Sequence, residues 1–267
     1  MRQPPRLTIL FDNVPGLAGL ESLWGFAALI ETGGQRILFD SGSNGRVLLR
    51  NMAVLGVDPA ALDLLFLSHP HWDHMGGLDS VLECNPGLTL VLHEGFSRHL
   101  IADLRGQCRE LVVVGAEPRA LVPGLLSTGM LSGRSTQQDP PEQGLVLDAA
   151  LADGVAVSAV ISGCAHPGME RMVERGTAML ARPIDWAIGG FHLMYAGSSE
   201  IARCVRALAE LDVAYVVPTH CTGDAAREAF ARAYGERCLP GGPGRELRLR
   251  PRPGSDDRPD MPGPDAH

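Results

Sequence analysis

Lysine is absent from the chain: all 23 basic residues are arginine. That excludes a Schiff-base lysine, a P-loop phosphate lysine and a Ser–Lys dyad together. The richness in Arg, Ala, Gly and Pro that accompanies it reads as GC-rich coding. Positive charge is also in deficit, with a formal net charge of −8, so a nucleic-acid partner, which calls for a basic surface, is not expected. No run of 18 apolar residues occurs, and no membrane span is expected. The N-terminal segment lacks the apolar stretch and small-residue cleavage site of a secretory signal. Cysteine is sparse, at 6 in 267 residues without a C-x-x-C pair. A disulfide scaffold is excluded, and the thiols read as reduced and mostly buried in a cytoplasmic protein.

What is present is 45% hydrophobic residues in a chain long enough to bury a sizeable core. Apolar runs predict strands at 6–11, 25–30, 35–39, 62–67, 88–92, 110–114 and 155–163, then at DWAIGG (185–190), VAYVVP (213–218) and 245–250. Gly33-Gly34 between two such runs signals a hairpin. Helical spacing predicts helices over 46–55, 95–104, 168–180, 199–210 and from Asp224 to Tyr234. Strands come first in hairpin style and later alternate with helices, which is a layered α/β arrangement. Residues 132–144, polar and Pro-rich, read as a loop and as a lid over the site. Residues 251–267, with five prolines and four aspartates, read as a disordered tail behind one domain over 1–250.

The strongest chemical signal is Ser68-His69-Pro70-His71-Trp72-Asp73-His74, directly after an apolar strand. Such a loop turns His69 and His71 toward one point and Asp73 and His74 toward a second. Imidazole and carboxylate suit zinc, and also manganese or iron. A metal site needs further ligands, and His166, His192 and His220 each follow a predicted strand among small residues that let the backbone turn closely. His93 is a supporting candidate behind the ligands, while His99 on a helix and His267 in the tail are not expected to bind. Cys164 and Cys221, next to His166 and His220, read as small packing residues, with thiolate ligation as the alternative.

Five motifs carry a family resemblance: LFDSG (38–42), SHPHWDHMGGL (68–78), GCAHPG (163–168), GGFHL (189–193) and PTHCTG (218–223). With them, residues 6–250 resemble the metallo-β-lactamase superfamily. WGFAALIE (24–31) and the last three motifs look like a narrower branch, the metal-dependent hydrolases of the second β-lactamase-like class. That branch includes proteins similar to the dihydropterin–ribofuranosylaminobenzene phosphate synthase. The resemblance implies an α/β fold, the αββα sandwich of two mixed sheets with helices outside and metals at one edge. It implies one or two divalent ions, zinc before manganese or iron. His69, His71 and His166 would hold the first ion, and Asp73, His74 and His220 the second. Asp40 would be a carboxylate behind them that orients the loop. One departure stands out. Most of the superfamily bridges its two metals with an Asp after a strand-end glycine, whereas Gly189-Gly190 here leads to Phe191-His192.

These readings point to a metal-dependent hydrolase acting on a small ester, lactone, phosphoester or amide. Asp73 would accept a proton, and His192 would donate to developing negative charge or to a leaving group. A transferase similar to the pterin synthase and a non-catalytic metal sensor are the alternatives. The expected partner is a small molecule, anionic ones included, which arginine, metal or backbone N–H groups would have to hold. The turn Cys221-Thr222-Gly223 opens a helix and reads either as an anion site or as a cap by Thr222. The oligomeric state is left open.

Overall fold

Gly33 and Gly34 both take positive φ, 58° and 84°, and so close the tight turn that joins β2 (Phe26–Thr32) to β3 (Gln35–Phe39). The computed structural model that shows this describes residues 4–134, 139–152 and 154–254. β1 (Arg6–Asp12) and β13 (Glu246–Arg248) extend the hairpin antiparallel on one side. β4 (Leu64–Phe66), β5 (Thr89–His93) and β6 (Glu110–Val114) continue it in parallel on the other. The first sheet therefore runs β13-β1-β2-β3-β4-β5-β6.

The second sheet repeats the plan. β7 (Arg119–Val122), β8 (Leu125–Ser127), β9 (Leu145–Ala150) and β10 (Ala156–Ser162) pair antiparallel. β11 (Trp186–Gly190) and β12 (Tyr215–Thr219) follow β10 in parallel. Between the sheets lies one apolar layer that includes Phe26, Phe39, Phe66, Ile161, Trp186 and Val217. Each such side chain contributes about 1.5–3 kcal/mol by leaving water.

Helices cover the outer faces. α1 (Gly45–Val54), α3 (Leu78–Cys84) and α4 (Arg98–Leu104) lay Leu48, Val81 and Leu104 on the first sheet. α5 (Met169–Leu180), α6 (Ser198–Glu210) and α7 (Asp224–Tyr234) lay Met172, Leu208 and Phe230 on the second. The architecture is the expected αββα sandwich. Asn44 Oδ1 accepts the Val47 N–H at 3.2 Å and so caps the start of α1.

Three expectations change. β7, β8 and β9 were not anticipated, because the first two are only 4 and 3 residues long and the third borders the Pro-rich loop. The histidine loop itself winds into a short helix, α2 (Trp72–Met75), just ahead of α3. The tail boundary at 250 moves, because Arg252 pairs with Asp185 at 2.9 Å and with Asp212 at 2.5 Å. Of the expected disordered tail, residues 255–267 lie outside the described residues.

Pairing directions align the C-terminal ends of β1, β3 and β4 in the first sheet and those of β10, β11 and β12 in the second, and contacts of His220 with Asn13 and His74 bring the two edges together. Asn13, Asp40, His69, His166, His192 and His220 all follow those strand ends.

Candidate metal centre

The side chains at those edges form two clusters. His69 Nε2 and His71 Nδ1 stand 3.1 Å apart, and with His166 their ligand atoms lie within 4.8 Å of one another. In the second cluster His74 Nε2 is 3.2 Å from His220 Nε2. Asp73 Oδ2 lies 3.4 Å from His220 Nε2 and 3.7 Å from His74 Nε2. Two nitrogens bound at about 2.0–2.1 Å to one tetrahedral ion stand about 3.3–3.4 Å apart, and nitrogen–oxygen pairs differ little. The clusters therefore have the spacing of two ligand sets.

Partners behind the rings fix which nitrogen faces inward. Asp40 accepts the Ser68 N–H and hydroxyl and the His74 Nδ1–H, each at 2.7 Å. Ser68 Oγ, donating to Asp40, accepts from His69 Nδ1 at 2.9 Å. Glu142 accepts from His166 Nδ1 at 3.0 Å, and Asn13 Oδ1 from His220 Nδ1 at 2.7 Å. Each of these four rings then turns Nε2 into the site, where the neutral ring offers a lone pair. Lone pairs facing one another across 3.2 Å, as in His74 and His220, repel unless a proton or a cation lies between them. The donor set thus fits divalent ions, with supporting partners of the kind metal-bound histidines use.

The electrostatics follow from burial and proximity. Burial alone would lower the pKa of His74, but Asp40, then Asp73 and Glu142, outweigh it and raise it to about 9. Burial and the surrounding imidazoles hold His69 well below its ordinary value. Burial opposes ionisation of Asp73, yet His220 and His74 keep it below the usual carboxylate range. Glu142, fully buried, is held to about 2 against its burial by His166 and by backbone N–H groups.

Backbone strain collects here. Asp40, Ala165, His192 and His220 have φ of 54°, 58°, 52° and 50°, a region that costs most side chains of order 1 kcal/mol or more. Such outliers persist where surrounding bonds over-determine them. Gly163 is required for a different reason. A Cβ there would lie 2.2 Å from Ser68 Oγ and 2.8 Å from Asp40 Oδ2.

Residues missed in the sequence include Glu142, Gln143 and Asn13. Glu142 Oε1 accepts the N–H groups of Gly163, Cys164 and Ala165 at 3.0–3.1 Å, and its Oε2 accepts that of His166 at 2.9 Å. Gln143 donates to the Leu67 carbonyl at 2.9 Å. The segment expected to be a lid is therefore, at Glu142 and Gln143, a buried strap; residues 135–138 of it lie outside the described residues. No local pattern marks these side chains.

Other candidates divide. His192, with 41% of its side chain exposed, lies 3.6 Å from Asp139, and its ring is 4.5 Å from that of His166. His93 is buried, accepts the Gly95 N–H at 3.1 Å and rests on Phe96; among the described residues it joins no ligand cluster. His99 is exposed on α4, and His267 lies outside the described residues. The Thr222 hydroxyl donates to the Thr219 carbonyl at 2.6 Å and accepts the Phe191 N–H at 3.1 Å. It is therefore no helix cap, and Asp224 occupies the first turn of α7, where a bound anion would be repelled. Cys164 corrects its expected role. Its Sγ does not pack behind His166 but lies 3.3 Å from His74 Nε2.

A model of the metallo-beta-lactamase superfamily matches residues 25–96, from the start of the hairpin through the histidine loop. That segment of the chain is thus similar to the metallo-beta-lactamase superfamily. Over 247 residues it is 28% identical to the 7,8-dihydropterin-6-methyl-4-(beta-D-ribofuranosyl)-aminobenzene-5'-phosphate synthase of Methanocaldococcus jannaschii, covering 79% of this chain and 84% of the relative. Tm1679, a metal-dependent hydrolase of the beta-lactamase superfamily, has a TM-score of 0.73 and 25% identity over 91% of this chain and 98% of that one. The short form of human tRNase Z shares the fold, with a TM-score of 0.60 and 13% identity over 92% of this chain and 99% of that one. The metallo-beta-lactamase superfamily generally binds divalent metals, consistent with the donor set here. No helix of the described residues is long and apolar enough to cross a membrane.

Proposed function

We propose that this metallo-beta-lactamase-fold chain is a two-metal hydrolase that cleaves a small ester, lactone, phosphoester or amide. The observation that carries the reading is the pair of ligand clusters with inward-facing lone pairs and tetrahedral spacing. His69, His71 and His166 would hold one ion, and Asp73, His74 and His220 the other. Zinc suits this donor set first, with manganese or iron as alternatives. When bound, such ions supply a water acidic enough to attack at neutral pH and a Lewis acid for a carbonyl or phosphoryl oxygen.

The chain's own groups do the rest. Asp73 faces both His74 and His220 with one oxygen, which leaves the other to accept the nucleophile's proton. His192 stands at the rim, partly exposed, where it can donate to the leaving group. Asp40, Glu142 and Asn13 hold the rings in place, so the site needs little rearrangement. The net charge of −8 favours a small substrate over a polyanion.

A second reading has one specific observation behind it. The archaeal relative of 28% identity is named as a synthase and matches over most of both chains. A transferase joining a pterin methyl group to an arylamine would use the same ions to stabilise a departing phosphate.

Protein purified without a histidine tag separates the readings. Its metal content is measured, and turnover is assayed on a phosphodiester, lactone and thioester panel, with an activated methylpterin plus arylamine in parallel. Metal-dependent hydrolysis of a panel member is expected. Coupling of pterin to arylamine without hydrolysis would favour the second reading, and a chain that binds no divalent ion would exclude both.

A further inference from the structure

Two divalent ions held this close repel strongly, because the Coulomb energy of like charges grows as they approach in a buried site. The two ligand clusters contribute one carboxylate, Asp73, and it faces only the second set. Asp40 and Glu142 stand behind the imidazoles with their oxygens already taken. An anion between the two sets is missing from the ligands assigned so far.

Cys164 occupies that place. Its Sγ is 3.3 Å from Nε2 of His74, and it lies within 4.8 Å of the ligand nitrogens of both His69 and His74. His69 belongs to the first set and His74 to the second. Among the described residues this is the one ligand cluster that draws on both. A sulfur at about 2.3 Å and a nitrogen at about 2.0–2.1 Å on one tetrahedral ion stand about 3.5 Å apart, close to the distance observed. The backbone of Cys164 is fixed as firmly as that of His166, since Glu142 takes the N–H groups of residues 163 to 166. Cys221 differs: its Sγ lies 3.6 Å from the Cys164 carbonyl and groups with Cys164 and His192, within 4.8 Å, but, among the described residues, with no member of either ligand set.

From this geometry we propose that the Cys164 thiolate is the ligand shared by the two metal ions, the part a bridging carboxylate would otherwise play. The inference rests on the two-metal reading above. Ligation breaks the S–H bond: the proton passes to solvent, and the sulfur's lone pairs form one bond to each ion, with no change of oxidation state. A soft sulfur bridge favours zinc or cobalt over magnesium or manganese.

Cobalt(II), added to metal-free protein under argon, is the probe. Bound cobalt per chain is counted, and near-ultraviolet absorption reports sulfur-to-cobalt charge transfer. The wild type should bind two ions and show the band. Cys221→Ala should keep it. Cys164→Ser should lose it and bind the second ion at least about tenfold more weakly, on the scale by which a lost supporting group weakens a site. Cys164→Asp should lose the band but recover the second ion. Two bound ions without a band in the wild type, or a band abolished by Cys221→Ala, would overturn the proposal while leaving the two-metal reading intact. Those two proteins decide the matter even if the Cys164 variants fail to fold. No bound cobalt in the wild type would fail the two-metal reading itself.

Discussion

Glu142 Oε2 accepts two hydrogen bonds from His166, one from its backbone N–H at 2.9 Å and one from its ring Nδ1–H at 3.0 Å. One carboxylate thus sets both where the residue sits and which nitrogen it offers. The other oxygen collects three neighbouring N–H groups, so the whole turn 163–166 is wrapped around a single buried anion.

Glu142→Gln tests that arrangement. An amide presents one acceptor oxygen in place of two and turns an NH2 group toward other donors. Affinity at the first ion site should fall by about 10–100-fold, measured by competition with a chromophoric chelator. Glu142→Ala should in addition destabilise the fold, since each orphaned buried donor costs about 1–3 kcal/mol. Unchanged affinity in the glutamine variant would contradict the assigned role.

Gly163→Ala should be disruptive although it adds one methyl group. The Cβ would meet Ser68 Oγ at 2.2 Å, Asp40 Oδ2 at 2.8 Å and His74 Nδ1 at 3.0 Å, the bonded set that aims His69 and His74. A loss of about 1–3 kcal/mol is expected from such overpacking, together with reduced metal content. Thermal denaturation and elemental analysis read the two effects separately.

His192→Ala should lower turnover by about 100-fold or more, the scale of a lost general acid, while first-site metal content stays near the wild-type value. Its partial exposure and its place beside the His166 ring motivate this. If the variant loses metal as completely as His69→Ala, then His192 is a primary ligand.

His93 gives a pH dependence with a definite sign. Burial lowers its pKa from the ordinary 6.5 to about 4. The unfolded chain therefore binds the extra proton first. The contribution to stability is fully present above about pH 6.5 and is lost as the pH falls toward 4. It amounts to up to about 3 kcal/mol. Urea denaturation of metal-free wild type and His93→Gln at pH 7 and pH 5 isolates it, since other histidines cancel in the comparison. The variant should lose less stability between the two values; equal losses would show that His93 is not buried as a neutral ring.

The candidate ligands of the histidine loop were legible because the pattern is local: four side chains of ligand type fall within six residues behind an apolar strand. His166, His192 and His220 were legible as strand-end residues, and the Gly33-Gly34 hairpin through the dihedrals that only its glycines take easily. What escaped is long-range. Asn13 reaches His220 across 207 positions and Cys164 reaches His74 across 90, and neither is announced by its neighbours in sequence. Glu142 was hidden in a segment whose prolines and polar residues read as solvent-exposed loop, although it is fully buried. The short β7 and β8 were lost for lack of length over which to show a period.

A crystal structure of metal-loaded protein, with anomalous scattering recorded above and below the metal absorption edge, tests the central claim most directly. Two peaks are expected, one among His69 Nε2, His71 Nδ1 and His166 Nε2 and one among Asp73, His74 Nε2 and His220 Nε2. A single peak at Asp139, His166 and His192, or no peak at either cluster, would contradict the account.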